Sequence, residues 1–332
     1  MKTNVGWKPQ LSYFKQLHHH LLRSHGNPSY GLYRLRWHIG PKFFYAGKAP
    51  MNLIIEPSSL CNLECIMCSD RFSPRPRGNM DEGLFVSIVR QARELCIPSI
   101  KFSYAGEPLM HPHFFEMLEY LCSNTNSDIS FLTNGTFLTP ENSRRAVDFG
   151  VAEIIVSVDG LSKKVYETIR RKASYDRVIG NIEALLTYKR KLGKKLPLIR
   201  IQFTRQRDNA HETEAFVSYW KPRVDIVTIN EYARPVDCDN NCEDYSADKL
   251  YSDRFAETYT ENPCSQLWQR LAILWNGDVV PCNGEYVIGN INYSTIAQIW
   301  QSEKLKQLRL LHKQGFVSKD PHCKVCGYRN LA

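Results

Sequence analysis

The 332-residue sequence lacks any long apolar run, and this absence is the first constraint on the class of protein. No stretch approaches the ~18 consecutive apolar residues that a transmembrane helix needs, so we expect no transmembrane segment. The first nine residues contain no apolar core of the kind that marks a signal peptide. Together these absences favour a cytoplasmic protein in a reducing compartment.

The sequence also lacks a nucleic-acid-binding motif, although its formal net charge is +9. One basic cluster extends from Lys189 to Arg207 and follows a helical pattern. Lysine and arginine are common in the last turn of a helix, where they offset the helix dipole. We therefore expect a solvated helix end and no nucleic-acid partner.

Cysteine is abundant, with eleven residues in a chain that carries no export signal. This usage favours metal or redox chemistry over disulfides. Three of the cysteines form the motif Cys61-x3-Cys65-x2-Cys68, just after the apolar run of residues 51–55. Three thiolates can bind three irons of a 4Fe–4S cluster and leave the fourth iron open. A zinc site is the alternative, but it usually takes four ligands in two close pairs.

From residue 51 onward, strand-like apolar runs alternate with helical stretches. Repeated strand–helix units predict a parallel sheet with right-handed crossovers. In such folds the chemistry lies at the carboxyl ends of the strands. The predicted strands are residues 51–55, 100–104, 129–132, 153–158, 198–204 and 225–229, and the predicted helices lie near residues 81–95, 113–123, 140–149, 174–192 and 209–220.

The C-N-L-x-C-x-M-C form of the cysteine motif resembles the radical S-adenosylmethionine (radical SAM) superfamily. Gly106-Glu107-Pro108, after the second predicted strand, resembles the G-E-P motif of that superfamily. The resemblance implies an α/β fold with a partial (β/α)6 barrel over residues 49–232. It further implies that the open iron binds S-adenosylmethionine and that the reduced cluster cleaves this cofactor to a 5′-deoxyadenosyl radical. An external electron donor such as flavodoxin or ferredoxin would supply the electron.

The same resemblance implies a set of cofactor contacts. The Glu107 carboxylate can accept from the amino group of the cofactor, and Gly106 permits close backbone approach. For Asn134 and Asp159 an ordinary turn is an equal alternative, because a glycine follows each of them. The implied cofactor-binding residues are Gly106, Glu107, Pro108, Asn134, Ser157, Asp159 and Arg170.

Alternation along the fifth and sixth predicted strands adds two further candidates. Side chains of a strand point to opposite faces in turn, so Arg200, Gln202 and Thr204 should face the barrel interior. We interpret Gln202 as a cofactor or substrate contact. Glu231, at the end of the sixth strand, is an ionisable candidate for a catalytic base by position alone.

Residues 261–332 are predicted to form a small C-terminal α+β module. Two strand-like runs flank Asn276-Gly277, a strong hairpin signal, and an amphipathic helix is predicted near residues 294–311. The order Cys264-x17-Cys282-x40-Cys323-x2-Cys326 offers four ligands, which suit either an iron–sulfur cluster or zinc. This segment resembles the SPASM/Twitch extension of radical SAM enzymes in its one-cluster form. The resemblance implies a second, auxiliary 4Fe–4S cluster.

Two segments carry weaker signals. Residues 1–48 contain apolar residues at helical spacing and are predicted to be an N-terminal helical extension. Residues 233–260 form an acidic connecting loop with Cys238 and Cys242. These two thiols are interpreted either as incidental or as catalytic hydrogen-atom donors, which some radical SAM epimerases use.

We predict a radical SAM oxidoreductase that acts on a small polyol, sugar or cyclitol, because the cysteine spacing resembles a dehydrogenase of an aminocyclitol alcohol. The 5′-deoxyadenosyl radical would abstract a hydrogen atom from this small-molecule substrate, and the auxiliary cluster would accept an electron. The alternatives are a peptide- or protein-modifying maturase, an epimerase, and a non-enzymatic electron-transfer protein. The intact cysteine and G-E-P motifs disfavour the last of these.

Overall fold

The computed structural model describes residues 28–68, 70, 73–232, 245–247, 263–282, 286–324 and 326. Its framework is a nine-stranded sheet in the order β6-β5-β4-β3-β2-β1-β7-β8-β9. The strands are β1 (Asn52–Ile55), β2 (Ser99–Phe102), β3 (Asp128–Thr133), β4 (Glu153–Ser157), β5 (Leu198–Arg205), β6 (Ile226–Glu231), β7 (Arg270–Ile273), β8 (Asp278–Val280) and β9 (Gly289–Asn290). The first six are parallel neighbours, which confirms the predicted α/β partial barrel.

In the part of the chain that the structure describes, six helices connect the parallel strands: α2 (Glu82–Glu94), α3 (Phe114–Asn124), α4 (Pro140–Asp148), α5 (Lys163–Ile169), α6 (Tyr175–Lys191) and α7 (Thr213–Trp220). Helix α1 (Pro28–Lys42) precedes β1, and α8 (Ile296–Trp300), α9 (Glu303–Lys313) and α10 (Pro321–Lys324) follow β9. Several begin at the residue types that favour helix starts: Asp81, Ser162 and Ser174 each accept a hydrogen bond from a backbone N–H of the first turn. The short helix α5 was not predicted.

The two faces of the barrel strands differ in chemistry. Leu53, Phe131 and Ile201 are fully buried and belong to the apolar core under the helices. Arg200 and Gln202 alternate with these core positions and line the barrel lumen, as predicted. The lumen face of β1 and β7 is mixed: Asn52 and Arg270 lie at the amino ends of these strands, and Ile54 and Ala272 follow in one small apolar cluster. The lumen is therefore mainly polar along β2–β5 and at the amino ends of β1 and β7, and apolar further along β1 and β7.

The C-terminal module continues the barrel sheet. Strand β7 pairs in parallel with β1, with Asn52 opposite Arg270, so β1 has a partner on each side. Strand β8 returns antiparallel to β7 through the predicted Asn276-Gly277 turn, where Gly277 has φ +89°. The predicted single helix near residues 294–311 is wrong, because Ser302 caps a new helix and divides the stretch into α8 and α9. The predicted domain boundaries stay predictions. The sheet continues across the boundary predicted at residue 261, because β7 pairs with β1.

Two predicted segments, the N-terminal extension and the acidic loop, are described only in part. Most of the N-terminal extension lies outside the described residues, and so does the acidic loop except for residues 245–247. Within the described ranges, no helix combines the length and apolar character that crossing a membrane requires.

Candidate active site

The loop after β1 presents the three-cysteine motif at the carboxyl end of the strand. The thiols of Cys61, Cys65 and Cys68 influence one another electrostatically, so the fold brings the three together. Two backbone hydrogen bonds tie the loop to the end of α5: Glu64 N–H donates to Arg171 O (3.1 Å) and Ile66 N–H to Ile169 O (3.0 Å). These two bonds fix the middle of the cysteine motif to the rim of the barrel.

The charge around these thiols is set by a buried arginine. Burial raises the pKa of Cys61 and raises that of Cys65 to about 12, while the Arg170 guanidinium opposes both shifts. A bound metal cation would stabilise the thiolates that burial disfavours. In the described residues no three Cys, His, Asp or Glu side chains already converge at metal-binding distance. The fit to an open-iron cluster therefore rests on the donor set of three adjacent thiols.

The segment after the motif is clamped by an ion-pair network that sequence reasoning missed. Arg75 donates bidentately to the buried Glu56 carboxylate at 2.7 and 2.9 Å and to Asp70 at 2.8 Å. Arg77 pairs with the same Asp70 carboxylate. Such geometry is the strong form of an arginine–carboxylate pair. Alternating Arg and Pro at residues 75–77, soon after the motif, is the signal that was available.

The hairpin between β7 and β8 covers this clamped segment. Trp275 Nε1 donates to Pro76 O (3.2 Å), and the Trp275 ring would lie 2.4 Å from a Cβ placed on Gly78. A side chain at Gly78 would therefore displace the tryptophan. The C-terminal module thus contacts the first cysteine loop directly.

The turn after β2 supports the cysteine loop by close backbone packing. A Cβ on Gly106 would lie 2.2 Å from Ser58 O, and Glu107 N–H donates to Leu60 O (2.8 Å). Pro108 is buried and opens a short 3-10 helix, Pro108–Met110. Close approach at Gly106 was predicted toward the cofactor. In the described structure the approaching group is the protein's own loop.

The Glu107 carboxylate is buried and binds the turn after β3. It accepts from Thr133 Oγ1 (2.7 Å), Asn134 N–H (2.7 Å) and Leu109 N–H (3.3 Å). Burial raises the pKa of Glu107 to about 7, and the three donors oppose this shift. Asn134 in turn donates from Nδ2 to Asn62 Oδ1 (2.9 Å), inside the cysteine motif. The predicted residues Glu107 and Asn134 therefore lie beside the motif and hold its position.

Asp159 and Arg170 form a buried pair under Cys65. Arg170 Nε and Nη2 donate to Asp159 Oδ2 at 2.8 and 2.7 Å, and Thr204 N–H donates to Asp159 Oδ1 (2.7 Å). Burial disfavours the charged guanidinium, but Asp159 and Cys65 keep the pKa of Arg170 above its ordinary value. Arg170 is thus a permanent cation beside the three-cysteine motif. Two of its guanidinium nitrogens, Nε and Nη2, are already bound to Asp159.

Ser157 and Gln202 are cross-strand neighbours on the lumen face of β4 and β5. They lie where a ligand in the lumen could meet the cofactor end of the barrel. Glu231 does not join them: it is the cross-strand neighbour of Arg205 and pairs with it at 3.1 Å. Strand alternation places this pair on the face opposite Gln202. Cys238 and Cys242 lie outside the described residues.

The second cysteine group gathers at the opposite, amino end of the barrel. Cys264 precedes the 3-10 helix Ser265–Trp268 that leads into β7, and Cys282 follows β8, which runs back toward the start of β7. Both influence the Cys323 thiol electrostatically. Cys326 N–H donates to Cys323 O (3.4 Å), so the fourth cysteine follows in the same short segment.

A buried histidine that sequence reasoning missed connects this group. Cys264 N–H donates to His312 Nδ1 (3.1 Å), and His312 Nε2 lies 3.3 Å from Cys323 Sγ. Because a backbone N–H can only donate, Nδ1 must accept, and the ring proton is assigned to Nε2. Burial and Asp320 raise the pKa of Cys323. The Nε2–H group therefore points at a sulfur that would become a cluster ligand. No spacing signal marks His312 in the sequence.

The fold and the two cysteine groups define a class of iron–sulfur enzyme with a partial α/β barrel. Comparison with known families agrees: residues 55–196 match the radical SAM superfamily model, and residues 264–327 match the SPASM iron-sulfur cluster-binding domain. The chain therefore belongs to the radical SAM superfamily and carries a SPASM-type domain at its C-terminal end.

Several individual proteins are similar to this chain. A tungsten-containing aldehyde ferredoxin oxidoreductase cofactor-modifying protein from Pyrococcus furiosus is 25% identical over 322 residues, covering 84% of this chain and 87% of that protein. The mycofactocin maturase MftC of Mycobacterium tuberculosis is 26% identical over 137 residues, 41% of this chain and 34% of the maturase.

Among solved structures, BtrN in complex with AdoMet and 2-DOIA aligns with TM-score 0.56 at 19% identity, covering 83% of this chain and 92% of BtrN. The structure of anSMEcpe with bound AdoMet aligns with TM-score 0.63 at 19% identity, covering 84% of this chain and 88% of anSMEcpe. These two likenesses establish the shared fold.

Proposed function

We propose that this enzyme dehydrogenates a small hydroxylated molecule, such as a polyol, sugar or cyclitol, that binds in the barrel lumen. The observation that carries the proposal is the polar lumen, which extends from Ser157 and Gln202 near the first cysteine group to Arg270 near the second. Polar side chains lining a cavity suit a hydroxyl-rich ligand, because each hydroxyl can donate and accept.

Two clusters would serve this reaction. Cys61, Cys65 and Cys68 would hold the first, and Cys264, Cys282, Cys323 and Cys326 would hold the auxiliary one. When bound, S-adenosylmethionine and the first cluster supply the radical that removes one hydrogen atom, and the auxiliary cluster supplies an acceptor for the remaining electron.

The chain's own residues would position these groups. Glu107, Asn134 and Asp159 hold the rim around the cysteine loop, and Arg170 places a cation beside Cys65 for an anionic part of the cofactor. His312 would donate to a cluster sulfur, a contact of the kind that tunes reduction potential. A flavodoxin or ferredoxin would deliver the reducing electron.

The length of one match favours a small-molecule substrate. The cofactor-modifying protein of Pyrococcus furiosus aligns over 87% of its length, whereas the mycofactocin maturase aligns over 34%. A peptide-modifying maturase is the second candidate function. The observation that favours it is the partial match to the mycofactocin maturase.

The test is substrate-dependent formation of 5′-deoxyadenosine by the reduced protein, with cyclitols and sugars compared against candidate peptides. Once a substrate is found, turnover in heavy water followed by mass spectrometry identifies the reaction. We expect a product two mass units lighter, because one hydrogen atom leaves and a proton and an electron follow. A product one mass unit heavier than the substrate, because it carries one solvent deuterium on carbon, would contradict dehydrogenation. Loss of that deuterium in Cys238→Ala or Cys242→Ala would establish epimerisation instead.

A further inference from the structure

The amino-end half of the lumen forms a cavity of about 250 Å³ that neither cysteine group occupies. Side chains from six strands line it, and Trp37 of α1 lies at its edge. The volume suits one end of a small ligand rather than a whole large one. The polar residues of the lining are Asn52, Ser99, Lys101, Ser130, Glu153, Arg200, Gln202 and Arg270.

The side chains that line this cavity carry more positive than negative charge. Lys101, Arg200 and Arg270 face a single lining carboxylate, Glu153. That carboxylate is already paired with Arg200 at 2.6 Å. Even when the neighbouring Asp128 is counted on the same face of β3, three cations meet two carboxylates. The cavity therefore favours an anion over a neutral or cationic group.

Arg270 is the cation with the strongest need for a partner. Its Nε is buried and has no hydrogen-bond partner among the described residues. Burial also lowers the pKa of Arg270, which marks an environment that disfavours its charge. Buried polar groups are almost always satisfied, and a guanidinium matches the two oxygens of a carboxylate or phosphate. An oxyanion in the cavity, which Arg270 lines, would pair with its guanidinium.

The position of Arg270 connects the cavity with the second cysteine group. It is the first residue of β7, and Cys264 and Cys282 influence it electrostatically. A ligand held there by its anionic end would lie beside the auxiliary cysteines. Its other end would extend along the lumen toward Gln202 and Ser157, at the cofactor end.

We propose that the amino-end half of the lumen binds a phosphate or carboxylate group of the substrate, with Arg270 as the principal ligand and Lys101 as a second. The proposal rests on the proposed function, since it specifies the substrate as an anionic small molecule. It places the anionic group at the amino end of the lumen and leaves the reacting alcohol free near the cofactor.

The experiment compares equilibrium binding of myo-inositol 1-phosphate and myo-inositol to the anaerobically reconstituted protein by titration calorimetry, with myo-inositol 1-carboxylate as the carboxylate probe. We expect an anionic probe to bind at least about tenfold more tightly than myo-inositol, the size expected for hydrogen bonds to a charged group. Arg270→Gln should remove most of this preference, and Lys101→Gln should reduce it. The phosphate and carboxylate probes together identify which oxyanion is preferred.

Arg90→Gln is the matched control, because Arg90 is exposed on α2 far from the lumen. It should keep the full preference. Equal affinities for the anionic and neutral probes, or binding of none of them, would overturn the anion site and leave the dehydrogenation test unaffected, since binding needs no turnover. Unchanged preference in Arg270→Gln, together with a shifted auxiliary-cluster potential, would also overturn it and make Arg270 a partner of the cluster alone. Iron content and circular dichroism of each variant exclude misfolding.

Discussion

The two cysteine groups of this enzyme are assembled in opposite ways. The first group comes from one eight-residue loop, residues 61–68. The turn after β2 packs closely against the segment that leads into this loop. The second draws on three separate segments, which meet because β8 returns to the start of β7 and α9 places His312 between Cys264 and Cys323. A local loop can keep its ligands together by itself, whereas a dispersed set depends on the fold around it.

Their electrostatic surroundings differ as well. The first group has a permanent cation, Arg170, anchored by Asp159. The second has a neutral donor, His312, with the carboxylate of Asp320 close by, and the Arg270 guanidinium within electrostatic reach of Cys264 and Cys282. A guanidinium can pair with the carboxylate group of a bound cofactor, while a single hydrogen-bond donor adjusts the charge on one sulfur. The difference agrees with a cofactor-binding role for the first group and an electron-transfer role for the second.

The largest expected effect comes from removing the local group. The triple variant Cys61→Ala, Cys65→Ala, Cys68→Ala should abolish 5′-deoxyadenosine formation and reduce the iron content from about eight to about four per chain. Cys122→Ala is the control, because that partly buried thiol packs against the core and belongs to neither group. An unchanged iron content in the triple variant would refute the assignment of its cluster.

The next effect tests the dispersed group. Cys323→Ala should remove the auxiliary cluster and product formation yet leave some reductive cleavage of S-adenosylmethionine, because the first loop has its own supports. Iron content, 5′-deoxyadenosine and product are measured on the same sample. Full product formation in this variant would show that the auxiliary cluster is not required. The Cys122→Ala variant again controls for loss of a thiol.

A smaller effect should follow from disturbing the support of the first loop. Gly106→Ala places a Cβ 2.2 Å from Ser58 O and should destabilise the protein by about 3 kcal/mol, since backbone cannot move aside cheaply. Gly180→Ala is the matched change inside α6, where no atom lies within 4 Å, and it should stabilise by about 0.5–1 kcal/mol. Urea unfolding of the reduced apoprotein measures both. Equal stabilities would contradict the packing argument.

The smallest effect is expected at Glu231. Because this carboxylate pairs with Arg205 on the face away from the lumen, Glu231→Gln should change turnover by less than about twofold. The pH–rate profile should also keep its shape. A loss of turnover by orders of magnitude would restore Glu231 as the catalytic base that its position in the sequence indicated.

Features that depend on local spacing could be predicted from the sequence. The three-cysteine motif, the parallel strands and the Asn276-Gly277 hairpin all follow from periodicities or short patterns. Features that depend on distant contacts could not. His312 and Arg270 carry no motif, and their roles follow only from which elements pack together. Glu231 shows another limit of the sequence: position at a strand end does not determine which face a side chain takes, and this carboxylate pairs with Arg205.

The parallel pairing of β1 with β7 has a consequence for dissecting the molecule. Strand β1 is flanked on both sides only because the C-terminal module supplies β7. Ending the chain before residue 261 would expose a row of unpaired N–H and C=O groups along Asn52–Ile55, a strand that is buried throughout. Such an open, apolar edge invites strand addition between chains and aggregation. It would also remove Trp275 from the segment behind the first cysteine loop. The barrel of this enzyme is therefore not a separable minimal unit, and insoluble truncated protein would reflect a lost strand partner rather than a lost cluster.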